Sequence, residues 1–331
     1  MTEKTHLDPS LKLRGATRAD ANAVAELIYI VCEAGGIANL ADTPEDLLHE
    51  WSKEGFNLET DAFLVETAEG KLVGFEVVFN EKDYAHFFTD GYVHPDFQKR
   101  GIGTVLLQSV EERAREMMQL ADLQLRVFLQ SGFDGKDEPG KALHTSMGYK
   151  SIRDFWRMEI ELTEEPAQPK FPVGIELRPF NKEKDARLLW EADNEAFREH
   201  WGAHDSTFED WEFRKFERPE SDPTLWLIAW AGDQIAGFSL NRYRNNMGWV
   251  GTLGVRKPWR KNGLGLALLQ RSFHDFYQRG MKIVGLGVDS SNTTGATRLY
   301  QLAGMRVANE FVTFEKELRA GSEMKDAELR A

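Results

Sequence analysis

The fold is decided by two stretches that align without a gap, residues 255–269 (VRKPWRKNGLGLALL) and residues 93–107 (VHPDFQKRGIGTVLL), at an offset of 162 (255 minus 93). Each stretch follows a run of β-forming residues and opens into an apolar helical pattern. Glycine lets the backbone approach a ligand closely, and the first turn of a helix points unpaired N–H groups at an anion. For one copy, a strand-to-helix turn with no ligand is an equal alternative. Two copies in register favour a shared phosphate-binding function.

The repeat extends beyond these stretches. Leu13-Arg14 and the helical pattern 19–30 recur as Leu177-Arg178 and 184–196, at an offset of 164 (177 minus 13). An apolar run, a glycine turn and a second apolar run also recur, and this order is typical of an antiparallel hairpin. The paired segments are 62–65, Gly70 and 73–75 in the first copy, and 225–230, 232–233 and 236–238 in the second. Such self-similarity predicts a duplicated domain.

The segment TEEPAQPKFPV, residues 163–173, contains three prolines and has the composition of a semi-rigid connector. We therefore predict an N-terminal domain over 11–162, a linker over 163–173, a C-terminal domain over 174–319 and a frayed polar tail over 320–331. Each domain reads as a mixed sheet with helices, an α/β (α+β) fold.

Two helix starts have local support in the sequence. Thr43-Pro44 with Asp46 predicts a capped start, and Ser206 with Glu209 resembles a capping box. These patterns assign helices and carry no functional information.

Composition restricts the function classes. Hydrophobic residues make up 41% of the 331 residues, enough for two cores, while a net charge of -13 argues against general binding to nucleic acid or anionic membranes. Cys32 is the only cysteine, so no internal disulfide can form, and no metal is expected. The opening residues MTEKTHLDPS contain no apolar run, and no later segment has the length of a membrane span. A cytoplasmic location is expected.

The glycine pattern differs from two better-known phosphate motifs. The third glycine of a dinucleotide-binding fingerprint is replaced by Leu106 and Leu268, and no Gly-Lys-Ser/Thr P-loop exists. The pattern Q/R-x-x-G-x-G instead resembles the acetyl-CoA motif of the GNAT acetyltransferase superfamily, in both halves, and the likeness covers nearly the whole chain. It implies two tandem GNAT folds and backbone N–H groups that bind the CoA pyrophosphate. On matching positions these are Gln98, Arg100, Gly101, Ile102, Gly103 and Thr104, and Arg260, Lys261, Asn262, Gly263, Leu264, Gly265 and Leu266.

The strand before each turn adds a second contact to the resemblance. In the superfamily this strand splays from its neighbour, and its free backbone groups bind the pantetheine arm and the acetyl carbonyl. The matching residues are Leu253, Gly254 and Val255, and Tyr92 and Val93 in the first copy. Four cations within six residues, at 256, 257, 260 and 261, oppose the charge of the whole chain. They predict partial neutralisation of CoA phosphates, with a solvated turn as the alternative.

The second half alone carries a further motif, DSSNTTGATRLYQLAGMRV at residues 289–307. It resembles the superfamily motif in which Asn292 contacts the cofactor and Tyr300 lies near the thioester sulfur. We expect Asn292 to begin a helix that ends at Gly304. A tyrosine hydroxyl with a pKa of about 10 can protonate the departing CoA thiolate, so Tyr300 is the expected general acid. A core tyrosine with a solvated hydroxyl is the alternative.

The first half departs from this motif. His144 occupies the place of Tyr300, the asparagine is missing, and SGFDGKDEPG precedes the helix. The interval from the glycine turn is 46 (144 minus 98) rather than 40 (300 minus 260). A lone histidine on a short helix is more often structural. The first domain is predicted to bind CoA and to have lost the chemistry.

The general base is left unassigned by the sequence. Many superfamily members carry a carboxylate on the strand before the glycines, where this chain has Trp249, Val250, Gly251, Thr252 and Leu253. Five residues could act as the base through a water molecule: Glu195, His200, His204, Asp205 and Glu310. Alternatively, the amine arrives in its neutral form and needs no base.

The resemblance implies an enzyme that transfers acetyl from acetyl-CoA to the primary amine of a small molecule. The architecture is similar to that of tandem members whose C-terminal unit acetylates an amine. In the superfamily the first helices wall the acceptor pocket, and Trp201 and Trp211 lie in that region. Two alternatives remain open, a non-catalytic acyl-CoA-binding regulator and an N-acetyltransferase of proteins or peptides. The sequence leaves the acceptor and the oligomeric state undetermined.

Overall fold

The computed structural model describes residues 7–201, 205–219, 221–292 and 294–323, and shows a mixed α/β protein. Its helices are α1 (Ala21–Ala34), α2 (Pro44–Glu50), α3 (Leu58–Asp61), α4 (Ile102–Met117), α5 (Glu138–Ser146), α6 (Lys182–Phe197), α7 (Phe208–Phe216), α8 (Leu264–Gln278) and α9 (Ala296–Leu302). Its strands are β1 (Leu11–Gly15), β2 (Ala62–Thr67), β3 (Leu72–Lys82), β4 (His86–Val93), β5 (Val127–Asp134), β6 (Lys150–Glu161), β7 (Glu176–Arg178), β8 (Leu227–Ala231), β9 (Gln234–Arg244), β10 (Met247–Val255), β11 (Ile283–Asp289) and β12 (Arg306–Arg319).

The chain forms two compact units that are not the two halves of the sequence. Unit 1 consists of residues 1–154 and 311–331, and unit 2 consists of residues 155–310. The strand order in unit 1 is β1-β2-β3-β4-β5-β12, in which β4 and β5 are parallel and the other neighbours are antiparallel.

Unit 2 repeats the same arrangement with the order β7-β8-β9-β10-β11-β6. Here β10 and β11 form the parallel pair, and β6 pairs antiparallel with β11 from Phe155 to Glu161. The predicted hairpins are present as β2-β3 and β8-β9. Unit 1 includes residues 311–331, which follow the linker, and unit 2 includes residues 155–162, which precede it. The boundaries 11–162 and 174–319 describe the repeat in the sequence, and they remain a prediction.

One apolar face of α4 and of α8 anchors each sheet to its helix. On α8, Leu264 and Leu268 are at most 1% exposed at the four-residue spacing of one helical face, and the adjacent Leu269 is fully buried. Leu106 and Leu107 are buried to the same extent on α4. Each fully buried leucine contributes about 1.5–3 kcal/mol as an upper estimate. This packing fixes where each helix begins relative to the strand before it.

The helix starts expected at Thr43 and at Ser206 are right to within a residue. Thr43 caps α2 as expected, and it also forms a capping box with Asp46. The expected box at Ser206 is displaced by one residue, since Thr207 accepts the hydrogen bond from the Asp210 N–H. Ser206 instead donates its N–H to Asn194 Oδ1 at 3.0 Å, which ties the segment before α7 to α6.

The expectation of a frayed tail is wrong for its first residues. Ser322 forms an isolated parallel bridge with Leu125, and its N–H donates to the Gln124 carbonyl at 2.7 Å. Within the described ranges, no helix is both long and apolar enough to cross a membrane.

Candidate active site

The two glycine turns have the same backbone conformation. Lys99 and Gly101 have φ of 62° and 79°, and Lys261 and Gly263 have φ of 65° and 82°. Gly101 and Gly263 are the N-cap residues of α4 and α8, and neither cap makes a side-chain hydrogen bond. Because the first N–H groups of a helix lack intrahelical partners, each turn presents several donors and the positive end of the helix dipole to an anion.

The other residues predicted to line these turns contribute in different ways. The side chains of Ile102 and Leu264 are buried in the cores, so these residues offer only backbone groups to a ligand. Thr104 and Leu266 are half-buried in the first helical turns. The exposed positions are Gln98, Arg100, Asn262 and Lys261.

The second glycine of each turn serves helix packing. A Cβ at Gly265 would lie 3.0 Å from Leu299 of α9, and a Cβ at Gly103 would lie 3.1 Å from Leu143 of α5. Both contacts are tighter than side chains normally tolerate. The glycine at this position therefore lets the helix that begins at the turn approach the helix that carries Tyr300 in unit 2, or His144 in unit 1.

The expected splay of strands is present in both units. In unit 2 the parallel register of β10 with β11 runs from Gly248↔Val284 to Trp249↔Gly285 and ends there within the described chain. In unit 1 the register of β4 with β5 ends at Thr89↔Ser131. The backbone groups that lie beyond these ends belong to the predicted residues Leu253, Gly254 and Val255, and Tyr92 and Val93.

Gly254 has a packing role that the sequence did not reveal. It lies opposite Phe238 on β9, and a Cβ at Gly254 would collide with the Phe238 ring. Phe238 is fully buried. The glycine is therefore explained by the sheet face. Because Arg256 donates its N–H to the Ala236 carbonyl on β9, the alternation along the strand directs the N–H groups of Leu253 and Val255, and not that of Gly254, to the edge that β11 leaves.

Three of the four cations near the second turn have protein partners. Arg256 pairs with Glu195 at 2.6 Å, and Lys257 and Arg260 pair with Glu199 at 2.8 and 3.0 Å. Arg260 also donates to the carbonyls of Val255 (2.9 Å) and Ala196 (3.0 Å). These contacts connect the glycine turn to the C-terminal end of α6 and the residues that follow it. Charge clustering in the sequence pointed instead to CoA phosphates, because the pairing acids lie about 60 residues away along the chain.

Tyr300 lies on α9 and is 8% exposed, packed in the core cluster that includes Leu299, Val288 and Met305. Burial raises the pKa of Tyr300 to about 12. The hydroxyl therefore keeps its proton at neutral pH. Gly304, with φ of 91°, follows the last turn and ends the helix as expected.

The expected position of Asn292 is wrong. α9 begins at Ala296 with Gly295 as its left-handed N-cap, so Asn292 lies in the preceding turn and does not start the helix. Its Oδ1 accepts from the N–H and hydroxyl of Thr294, at 2.8 and 2.5 Å. Asn292 thus shapes the loop that leads from β11 into α9.

His144 is part of an aromatic cluster in unit 1. Its ring lies 4.7 Å from Phe133 and 5.1 Å from Tyr149, and its Nδ1 contacts the Gly140 carbonyl at 2.8 Å. Its Nε2 is buried, and no hydrogen-bond partner for it lies within the residues that the structure describes. Burial lowers the pKa of His144, which keeps the ring neutral. These contacts match the structural role that the sequence favoured.

Four of the five residues considered as general bases make contacts of their own, and His204 lies outside the described residues. Burial lowers the pKa of His200, so this ring keeps the neutral form that can accept a proton. The contacts are Glu195 with Arg256 at 2.6 Å, Asp205 with Arg198 at 2.6 Å, Glu310 with Trp156 Nε1 at 2.9 Å, and the His200 ring against Phe197 at 4.7 Å.

Unit 1 contains two carboxyl groups that the sequence reading missed, Glu76, which is buried, and Asp90, which is half-buried. Glu76 on β3 lies across from Gly91 and accepts a hydrogen bond from the Thr89 hydroxyl at 3.0 Å. Asp90 on β4 accepts from the Tyr92 hydroxyl at 2.9 Å. Burial raises the pKa of Glu76 to about 8 and that of Asp90 to about 7. The alternation of side chains along β3 and β4 could have drawn attention to them, since both interrupt apolar strands.

The counterpart of Glu76 in unit 2 is Ser239, paired with Leu253 on β10. Ser239 contacts Asn241 at 2.9 Å and Ser272 at 3.0 Å, a neutral network. Unit 2 instead places a cation beside the strand, because Lys215 of α7 donates to the Thr252 hydroxyl at 2.7 Å. The two units therefore differ in charge at equivalent positions of the sheet.

The fold and these turns agree with the comparisons to known proteins. The model of the Acetyltransferase (GNAT) family matches residues 32–133 and 186–305, more than half of the chain. This chain belongs to the GNAT acetyltransferase family, and it is an N-acetyltransferase with two tandem GNAT folds.

Particular relatives span nearly the whole chain. A mycothiol acetyltransferase of Geodermatophilus obscurus is 27% identical over 291 residues, which cover 85% of this chain and 89% of that protein. A GCN5-related N-acetyltransferase of Sphaerobacter thermophilus is 37% identical, with a TM-score of 0.81 over 96% of this chain and 99% of that one. A tandem GNAT protein from the clavulanic acid biosynthesis pathway shares the fold, with a TM-score of 0.70, 15% identity and coverage of 94% of this chain and 100% of that one.

The buried Glu76 makes the stability of unit 1 depend on pH. The unfolded chain loses this proton near pH 4.5 and the folded chain keeps it to about pH 8. Stability is therefore lost as the pH rises between these values. A glutamine at position 76 cannot ionise, and its side-chain oxygen can still accept the hydrogen bond from the Thr89 hydroxyl. We expect Glu76→Gln to raise the unfolding temperature by several degrees at pH 8, with little change at pH 5, in thermal unfolding followed by circular dichroism.

Glu81→Gln is the matched control, because Glu81 lies at the exposed end of the same strand. The unfolding temperature of Glu81→Gln should change with pH in the same way as that of the unmodified protein. If the unfolding temperature of Glu76→Gln also followed that of the unmodified protein between pH 5 and pH 8, the assignment of a buried, protonated carboxyl would be contradicted.

Proposed function

We propose that unit 2 transfers an acetyl group from acetyl-CoA to the primary amine of a small molecule. The observation that carries the proposal is the combination, in one unit, of an uncapped left-handed glycine at the start of α8, the opened β10-β11 edge, and a buried tyrosine on α9. Gly265 supports the combination, because its lack of a side chain allows α8 to pack against α9 at Leu299. A protein that only binds acetyl-CoA would not require the buried tyrosine on α9.

Each part supplies one requirement of acetyl transfer. The N–H groups of residues 263–266 hold the CoA pyrophosphate, and the backbone of residues 253–255 binds the pantetheine arm and stabilises the oxyanion. The amine nitrogen forms the C–N bond as the C–S bond breaks. Tyr300 gives its proton to the departing thiolate, and the proton lost by nitrogen restores the tyrosine through solvent, so the net products are an amide and free CoA thiol.

The raised pKa of Tyr300 suits a donor that must stay protonated until the thiolate forms. A hydroxyl with a pKa of about 12 does not ionise at neutral pH, so its proton is present in every turnover. The nitrogen enters neutral, or His200 receives its proton through water, since burial keeps this ring uncharged.

The relatives support a small-molecule acceptor. Several that match over most of the chain are named mycothiol acetyltransferases, including a Stackebrandtia nassauensis protein 29% identical over 317 residues. We infer that this chain likewise acylates an amine of low molecular mass. The packing of His144 among aromatic rings supports a first unit that binds CoA without this chemistry.

Removing the Tyr300 hydroxyl tests the mechanism. In Tyr300→Phe the ring and its packing remain, so we expect turnover to fall about 100-fold or more while acetyl-CoA affinity changes little. The measurement is steady-state release of free thiol from acetyl-CoA in the presence of a panel of small amines. Unchanged turnover, with chemistry shown to limit the rate, would remove Tyr300 from the mechanism. Silence of the unmodified protein across the panel, despite CoA binding, would favour a regulator.

The division of labour is tested by a matched pair of substitutions. Gly101 and Gly263 have nearly the same φ, 79° and 82°, and nothing lies within 4 Å of a Cβ at Gly263. Valine at each site therefore imposes the same local strain and places its branches where a pyrophosphate would sit. We expect Gly263→Val to abolish turnover and Gly101→Val to keep most of it, with one CoA site lost in each by calorimetric titration. The reverse pattern in folded proteins would assign catalysis to unit 1.

A further inference from the structure

Lys215 of α7 places a primary amine beside the strand that is proposed to bind the acetyl group. Its Nζ donates to the Thr252 hydroxyl at 2.7 Å. Thr252 immediately precedes Leu253, whose backbone N–H points to the edge that β11 leaves. The lysine amine therefore contacts the residue next to the proposed oxyanion donor.

Lys215 also lines a cavity of about 240 Å³ in unit 2, between α7 and the strands β9 and β10. A β-bulge brings this cavity to the point where the strands separate. The register of β9 with β10 shifts between Val250 and Thr252, and both Trp249 and Thr252 line the cavity. Trp249 is also the last residue of β10 in register with β11 in the described chain. The cavity therefore adjoins the opened edge, and it has room for an acetyl group on Lys215.

The surroundings of Lys215 favour loss of a proton from its ammonium group. The Asp193 carboxylate lies 3.5 Å from Nζ, and its Oδ2 also accepts from Trp211 Nε1 at 2.8 Å. Removal from water is the largest effect on the pKa of Lys215 and lowers it, and the net shift stays downward although Asp193 raises it. Because only a neutral amine attacks a thioester, this shift increases the fraction of Lys215 that can react.

We propose that Lys215 is a site of self-acetylation, modified by acetyl-CoA bound in unit 2 when no acceptor amine occupies the cavity. The inference rests on the proposed function, since it uses the same thioester and the same proton donor. The lysine side chain is a flexible four-carbon stem, so its Nζ can leave Thr252 and approach the opened edge. An acceptor in the cavity separates this amine from the thioester. Transfer to the acceptor and transfer to Lys215 therefore compete.

The reaction balances in atoms and protons. The Lys215 ammonium first gives one proton to the Asp193 carboxylate, which passes it to solvent. The neutral Nζ attacks the thioester carbonyl carbon, the C–N bond forms as the C–S bond breaks, and Nζ releases a second proton. The CoA thiolate takes its proton from Tyr300, which regains one from solvent. The net products are acetyl-lysine, free CoA thiol and one proton.

Acetylation changes the acceptor side of unit 2 and leaves the glycine turn untouched. The amide carries no charge to pair with Asp193, and the acetyl group fills part of the cavity. Both effects oppose the binding of an acceptor amine. The modification therefore lowers acetyl transfer when acetyl-CoA is abundant and the acceptor is scarce.

Mass spectrometry of the full-length protein tests the inference. The protein is incubated with acetyl-CoA without an amine and digested, and acetylation of Lys215 is compared with that of Lys184, an exposed lysine on α6. We expect Lys215 to be acetylated about 10-fold faster or more, because its amine lies beside the bound thioester. An excess of free CoA should suppress the reaction at Lys215 and leave Lys184 unaffected.

Equal rates at the two lysines, or a rate at Lys215 that free CoA does not change, would overturn the inference. Thiol release with the panel of small amines separates this failure from that of the proposed function. Transfer to amines without acetylation of Lys215 overturns the inference alone. No transfer to any amine or to Lys215 counts against the proposed function as well.

Lys215→Arg tests the consequence for turnover. Preincubation of the unmodified protein with acetyl-CoA should lower its later turnover of amines in proportion to the acetylated fraction of Lys215. Arginine keeps a positive charge beside Asp193 and offers no neutral amine, so turnover of Lys215→Arg should not fall on preincubation. Lys184→Arg is the matched control and should lose turnover like the unmodified protein. An equal loss in Lys215→Arg contradicts the proposal, and if this variant fails to fold, the comparison of the two lysines by mass spectrometry decides.

Discussion

The structure depends on a left-handed glycine placed immediately before a helix. At Gly263 the chain must turn out of a strand, at a φ of 82°, and begin a helix without a side chain over its first N–H groups. A residue with a Cβ would be strained there, and a capping side chain would occupy the donors. The apolar face of α8 then holds the helix against the sheet, so the donors are fixed in direction before any ligand arrives.

Other features of unit 2 keep this turn in place. Arg260 binds the carbonyl that ends β10 and the carbonyl of Ala196 near the end of α6, and Glu199 joins it to Lys257. Exposed ion pairs contribute little individually, but the carbonyl contacts give the turn a defined geometry. On the other side, Gly265 admits Leu299, which brings α9 and its tyrosine to the same end of the sheet. The proposed pyrophosphate donors and the proposed proton donor are thus positioned by one short segment.

Sequence reasoning recovered what is encoded locally. The hairpins, the glycine turns and the end of α9 at Gly304 follow from patterns within a few residues, and the repeat follows from the recurrence of such patterns at a nearly constant offset. It failed where distant residues decide the outcome. Arg256 and Lys257 were assigned to phosphates because their partners Glu195 and Glu199 are remote in sequence. Asn292 was placed at a helix start that Gly295 provides instead. The composition of the compact units requires three-dimensional contacts that no local pattern contains.

The two units show what duplication leaves free to change. Both keep the turn and the splayed edge, whereas unit 1 places Glu76 where unit 2 has Ser239 and buries a histidine where unit 2 has Tyr300. The central claim is that CoA in unit 2 extends from the start of α8, between β10 and β11, to Tyr300. A crystal structure with bound CoA tests this most directly. The account predicts the pyrophosphate on the N–H groups of residues 263–266 and the sulfur within hydrogen-bond reach of the Tyr300 hydroxyl. CoA bound elsewhere in unit 2, or a sulfur directed away from Tyr300, would contradict it.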